Sequence, residues 1–487
     1  MHLDGAATDG SPPQYYGYDG DGPMLPALGS NVESSKTEPD KNTYLVLDGQ
    51  HGPEAGAYYG DHFLFQGHEG GTIGYITRVN LDADAAHRVT LMASTDVDGK
   101  PLPLFDGSTW DPFAKRLLFT SENGTSPSDQ RAGKINASGG VWSATLDYPS
   151  KVTDISGSIG RAGFEGIQND KDGNVWIVED NTGDAGTGAN AKAKQPNSFV
   201  FRFIPSHKDD LSAGKLQALQ VISRRTNQPI TFHDLQADAD ITSPDTAELY
   251  TYGASFDTKW VTVHDTATDG TTPFDANKAA KVAGATPFKR PENGQFRPGT
   301  NFGQFFFDST GDTNAQSSAD NGLGGWGGIF QLTQNGPSAN TGRLELFYQT
   351  DEAHTGLDNV AFLTKNQVVF VEDAGDTLHT QRNALDSAYV FDVTHDYSKG
   401  GQPIRMLAEG RDPSATVDSG LSSTTNFQNE GDNEITGIHV SNGDPSRNGL
   451  LGASDPIPFF GHGTFRWRVF YTAQHGDNVT YEIETLP

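Results

Sequence analysis

The stretch HTGLDNVAFLTKNQVVFVEDAGD, residues 354–376, decides how the rest of the chain is read. Two apolar runs, LDNVAFLT and VVFVED, flank a polar Lys365-Asn366 pair. This is the pattern of a β-hairpin. Its open end carries His354 and Asp358 on one side and Glu372 and Asp373 on the other. An imidazole and carboxylates gathered at one end are the donor types that hold a metal ion.

The same pattern recurs as FEGIQNDKDGNVWIVEDNTGD at residues 164–184, with an Asp-Gly turn and a second strand that again ends in Val-Glu-Asp. When Val178-Glu179-Asp180 is laid on Val371-Glu372-Asp373, Glu165 falls on Asp358. Residues 290–312 form a third copy with a longer turn, placing Glu292 near the Glu165 position and Asp308 near Glu179. Residues 110–124 are a fainter fourth, and residues 434–477 a fifth with an insert at its tip. A β unit repeated at spacings of tens of residues predicts a propeller or a solenoid. The fold class expected is therefore all-β, a β-propeller of six or seven blades whose innermost strands face a central channel holding a metal centre. One domain over residues 1–487 is expected, with residues 1–40 as a loop-rich N-terminal extension.

Composition agrees with short strands and turns. Hydrophobic residues make up 34% of the chain, with 57 Gly and 26 Pro, and the best helical candidate, residues 275–285, is short and stops at Gly284 and Pro287. No apolar run approaches the length of a membrane span. Residues 60–81 predict the first strand pair, residues 249–266 a hairpin without an acidic end, and residues 387–396 a further strand beside the central hairpin. Against 34 Lys+Arg stand 63 Asp+Glu, a net charge of −29, which repels nucleic-acid phosphates and anionic membranes. Zero cysteines remove disulfides, zinc–thiolate sites and thiol nucleophiles together. A periplasmic or secreted protein whose signal peptide has been removed is the location expected.

A single carboxylate among 63 is ordinarily a solvated turn residue; recurrence at one repeat position is what singles out Glu165, Glu292 and Asp358. His439 and His475 compete for one ligand role, and His233 is a weaker candidate of the same kind. GLGGWG at residues 322–327 fits the dinucleotide-binding spacing but leads into a strand-like run, which rejects it. NDKDGN at residues 169–174 is read as a tight hairpin turn rather than a calcium loop.

HEGG at Glu69, FTSEN at Ser121, FEGI at Glu165, GATPFKRPENG at Glu292, GLDNVAF followed by VED at Glu372, EITG at Glu434 and AQHGD at His475 resemble, in that order, the motifs of PhoX-type phosphatases. The resemblance spans residues 60–477 and implies a β-propeller with a multinuclear metal centre that hydrolyses phosphate esters. One departure stands out: Ser121 occupies the place of that family's iron-binding cysteine. The order and spacing of Glu165, His354, Glu372 and His439 are also similar to the metal-binding glutamates and histidines of the β-propeller phosphotriesterases, or haloalkylphosphorus hydrolases. That resemblance implies two divalent metal ions, manganese first, with Ca, Zn or Fe as alternatives, and neutral organophosphate triesters as substrates. It implies Glu165, His354, Glu372 and His439 as ligands, with Glu292 and Glu434 as further ligands or supports. A hydroxide bridging the metals would attack phosphorus, with Glu69 and Arg290 handling a proton or orienting the substrate. The alternatives are a PhoX-like phosphomonoesterase or phosphodiesterase, and a binding propeller with structural cations. The partner expected is a small phosphoester, with no nucleic acid and no membrane span.

Overall fold

In the computed structural model the protein is described at residues 39–69, 74–84, 87–312, 322–374, 386–409, 434–458, 465–474 and 479–484. It is mostly sheet, and every strand pair is antiparallel. The first sheet holds β1 (Thr43–Val46), β2 (His62–Gly67), β3 (Ile76–Asn80) and β4 (Val89–Ala93) in sequential order. The second repeats this with β5 (Ser108–Asp111), β6 (Arg116–Ser121), β7 (Gly140–Ala144) and β8 (Val152–Asp154). Next come β9 (Phe164–Asn169), β10 (Val175–Glu179), β11 (Val200–His207), β12 (Asp210–Val221) and β13 (Ser255–Asp265). Then follow β14 (Gly294–Phe296), β15 (Gln304–Ser309), β16 (Gly328–Gln334) and β17 (Thr341–Gln349). These two runs are joined edge to edge, β13 to β17, into one nine-stranded sheet. The chain ends with β18 (Leu357–Thr364), β19 (Gln367–Glu372), β20 (Asp386–Asp392) and β21 (Ile404–Glu409), then β22 (Glu434–Ser441), β23 (Arg468–Gln474) and β24 (Val479–Ile483).

The strands that open each run stand side by side. β1 touches β5, β5 touches β9, β9 touches β14, β14 touches β18, β18 touches β22, and β22 returns to β1. Apolar side chains fill each seam between successive runs. Phe65 packs with Phe119 and Trp142 in one seam, and Leu118 with Phe164 and Ile167 in the next. Trp176 meets Phe296 and Phe305, Phe306 meets Val360 and Phe362, Val369 meets Ile435 and Ile438, and Tyr44 meets Phe470. Inner and second strands are therefore covered on both faces, which is why VVFV and VWIV are continuous apolar runs rather than alternating ones.

The hairpins fall where their turn residues predict. Lys365-Asn366 joins β18 to β19. The NDKDGN turn joins β9 to β10, and there the Asp170 carboxylate accepts from the amides of Asp172 and Asn174 and from the Trp176 indole at 2.8 Å. That carboxylate is consumed by the turn. GLGGWG does lead into a strand, β16, and the predicted helix is Ala276–Val282, capped by Asp275. Two expectations change. Residues 249–266 are not a hairpin: Leu249 ends a helix begun by Ser243 and Pro244, and the rest is the single long strand β13. β1, within a stretch not predicted as a strand, opens the first sheet. Among the described residues no helix is long and apolar enough to cross a membrane.

Candidate metal centre

One acidic residue stands at or just before the start of each opening strand: Asp40, Asp106, Glu165, Glu292, Asp358 and Glu434. The local sequences repeat as well. Phe105-Asp106-Gly107 matches Phe164-Glu165-Gly166, and Pro39-Asp40 matches Pro291-Glu292. Glycine follows the acid where neighbouring backbones crowd. A Cβ on Gly107 would lie 2.4 Å from the Glu165 carbonyl oxygen, and one on Gly166 2.6 Å from Asn293 Oδ1. Because the opening strands touch in a ring, equivalent positions in sequence become neighbours in space.

A second tier comes from the far ends of the second strands: Glu69 after β2, Glu122 after β6, Asp180 after β10 and Asp373 after β19. The two tiers converge. Carboxylate oxygens of Asp40, Glu69 and Asp106 lie within 4.8 Å of one another, as do those of Asp106, Glu122 and Glu165, so Asp106 belongs to both groups. Asp40 and Asp106 are buried, Glu69 is half-buried and Glu122 is exposed, which puts the opening of the site at the second tier. Gln474 ties the tiers together, its amide donating to Glu69 Oε2 at 3.1 Å and to Asp40 Oδ2 at 3.5 Å.

The electrostatics are those of uncompensated negative charge. Asp40, Asp106, Glu165, Glu292 and Asp358 are all held well above the usual carboxylate range. Loss of solvation is the first cause of each, and a neighbouring carboxylate the second. Two cations face them. Arg290, its side chain a quarter exposed, donates from Nε and Nη2 to Asp180 at 2.6–3.0 Å and lies 3.4 Å from Glu292. It takes a φ of 54° to do so, a left-handed conformation unusual for a side chain that is not glycine. Lys41, 1% exposed, donates from Nζ to Asn293 Oδ1 at 2.7 Å, and burial lowers its pKa to about 8. Asp106 Oδ1, Asp308 Oδ2 and Asp358 Oδ1 are buried without a hydrogen-bond donor. Buried carboxylate oxygens without a donor are the kind that a cation can satisfy.

Glu69, Glu165, Glu292 and Arg290 are thus brought together, and Glu434 stands at the matching position opposite Gln474. The structure does not bring the other predicted residues to them. Glu372 is fully buried with its carboxylate turned to backbone amides, accepting from Thr355 at 3.0 Å and Ser387 at 3.1 Å. Glu179, its counterpart in the repeat, does the same for Phe199 at 3.1 Å. His354 lies between Tyr348 and Tyr389, with Nδ1 2.9 Å from Asp351. His439, on β22, accepts the Tyr44 amide at Nε2 and stays neutral, its pKa lowered to about 3 by burial and then by the charge of Lys41. His475 lies outside the described residues. His233 pairs with Asp240 at 2.6 Å in a separate pocket. Ser121 is buried and accepts from Asn123 at 2.9 Å. Asp40, Asp106 and Glu122 were not anticipated, although the Phe-acid-Gly repeat at Asp106 was there to be read.

Glu372→Gln tests this assignment. It keeps an oxygen for one backbone N–H and sets an NH2 group against the other, so the melting temperature should fall, corresponding to about 1–3 kcal/mol, while bound metal stays at the wild-type level. Loss of metal would return Glu372 to the ligand set.

Carboxylates converging from successive strands are the donor type that hard divalent cations take. Comparison with family models places the chain itself: the model described as alkaline phosphatase PhoX matches residues 195–445, just over half of the sequence, and the chain belongs to the PhoX family. Comparison with curated proteins gave no match. Among solved structures it is similar to the crystal structure of the tricorn protease at 10% identity and a TM-score of 0.26, covering 77% of this chain and 27% of that one. The chain therefore spans about a quarter of that protein's length.

Proposed function

We propose that the protein is a metal-dependent phosphoester hydrolase, a six-bladed β-propeller whose channel mouth holds two divalent cations, manganese first. The observation that carries this reading is Asp106. It is shared by two three-carboxylate groups, with an oxygen that no donor meets, in a chain of the PhoX family. Asp40, Glu69 and Asp106 would hold one ion, and Asp106, Glu122 and Glu165 the other. The donor set is all oxygen, which suits Mn or Ca better than Zn. When bound, such ions polarise a phosphoryl oxygen and acidify the attacking water.

The chain's own residues supply the rest. Arg290, fixed by Asp180 at the mouth, orients the phosphoryl group and meets charge developing on its oxygen. Glu69, half-buried and held by Gln474, is placed to take up a proton from water. Glu122 and Asp180, in the second tier, stand at the entry and would oppose anionic substituents, which favours neutral triesters. Ser121 offers no thiolate. A phosphomonoesterase is the second reading, favoured by the family's own description.

Elemental analysis with rates on aryl phosphate mono-, di- and triesters, after chelation and Mn²⁺ readdition, separates the readings. About two metals per chain and Mn-restored triester hydrolysis are expected. Faster monoester turnover would select the second reading, and metal without turnover would leave a binding propeller with structural cations.

A further inference from the structure

In the repeat of acid-bearing turns, the residue after the acid is glycine, asparagine or isoleucine in every copy but the first: Gly107, Gly166, Asn293, Asn359 and Ile435. In the first copy it is Lys41. Its ammonium bonds to Asn293 Oδ1 at 2.7 Å. Lys41 precedes β1 and Asn293 precedes β14, and in the ring of touching strands β1 and β14 stand across from one another. The side chain therefore crosses the axis. Gly166 makes room for this, since any Cβ there would collide with the asparagine that receives the ammonium.

Around that ammonium the acids are Asp40, Asp358, Glu165 and Asp308. Asp358 Oδ1 and Asp308 Oδ2 are buried and have no donor, and both residues are at most 5% exposed. Buried carboxylate oxygens and an amide oxygen are the donor types that take a hard cation. Lys41 already supplies a positive charge there. His439, with an unmet Nδ1, lines a different cavity together with Asn169.

We propose that Lys41 is a built-in cation on the channel axis, holding the place of a divalent ion on the Asp308 and Asp358 side and confining exchangeable metal to Asp40, Glu69, Asp106, Glu122 and Glu165. This rests on the reading of the carboxylate cluster as a metal centre. Lys41 sets how many metals the ring holds, and it does so without touching substrate.

The test is metal stoichiometry, not turnover. Wild-type protein, Lys41→Met, Lys41→Gln and Lys41→Arg are equilibrated with excess Mn²⁺, freed of unbound ion and analysed for manganese, with circular dichroism monitoring the fold. Lys41→Gln keeps a donor for Asn293 without the charge, so a readable variant remains if methionine does not fold. One additional manganese per chain is expected in the neutral variants and the wild-type number in Lys41→Arg. An unchanged number in a folded neutral variant, with metal present in the wild type, overturns the proposal. A wild-type chain that holds no manganese would instead overturn the metal centre itself.

Discussion

Asp106→Asn is expected to lower kcat/KM for the best aryl phosphoester by at least ~10³, about 4 kcal/mol of transition-state stabilisation, and to reduce bound manganese. The size follows from position. Asp106 is the carboxylate common to both three-membered groups, so in the proposed centre the change would remove a charged donor from two cations at once. Asparagine keeps the shape and replaces one oxygen with an N–H donor that faces Asp40 and Glu165. In the metal-free protein that donor relieves repulsion, so the fold should hold and its melting temperature should not fall. Activity and stability are thus predicted to part company. Rates within tenfold of wild type, with metal content unchanged, would remove Asp106 from the site.

Removing the metal should make stability depend on pH in a particular direction. Unfolded carboxylates titrate near about 4, and those of the cluster titrate well above that in the folded chain. Between the two the folded state binds more protons than the unfolded state, so stability falls as pH rises. The stabilisation is complete below the unfolded value and is lost as pH climbs through the raised folded values. A chelated protein should therefore lose melting temperature as pH is raised above the ordinary carboxylate range. Cations take over the role of the protons, so the gap between Mn²⁺-loaded and chelated samples should widen over the same rise, by an amount on the order of 5 °C. The difference cancels groups remote from the cluster, such as Asp396 and Lys399, which pair at the surface. A gap that stays constant with pH would mean the carboxylates are compensated by something other than bound cations.

How much of this could be read beforehand varies from residue to residue. The hairpins at residues 164–184 and 354–376 could be, because turn residues and apolar runs are local properties. The equivalence of Glu165 and Asp358 could be as well, since aligned repeats carry equivalent positions to equivalent places. Side-chain direction could not. Both Val-Glu-Asp strands have a register shift just before or around the acidic pair, between Ile177 and Glu179 in one hairpin and between Leu357 and Val360 in the other. Such a bulge breaks the strict alternation on which facing is inferred. Glu372 was consequently read into the site, and it is the neighbouring Asp373 whose charge is felt by Asp40 and Asp358. His354 was drawn in by adjacency to Asp358; a tight turn closed by Asp351 carries it away. Asp40 and Lys41 fall at the end of a Pro- and Ser-rich segment read as an extension, and only closure of the ring between β1 and β22 makes them central.

The paired acids at the ends of β10 and β19 have an evolutionary consequence. Glu179 and Glu372 serve the backbone, whereas Asp180 and Asp373 serve the opening, one residue further on. Architecture and chemistry are thereby written on adjacent letters of the same repeat. Copying the hairpin duplicates a scaffold together with a blank reactive position. Later drift at that position can retune ion number or substrate charge while the glutamate keeps the copy foldable. A library randomised at Asp180, Asp373 and Glu122 should accordingly yield mostly soluble proteins of varied activity, and one randomised at Glu179 and Glu372 mostly insoluble ones.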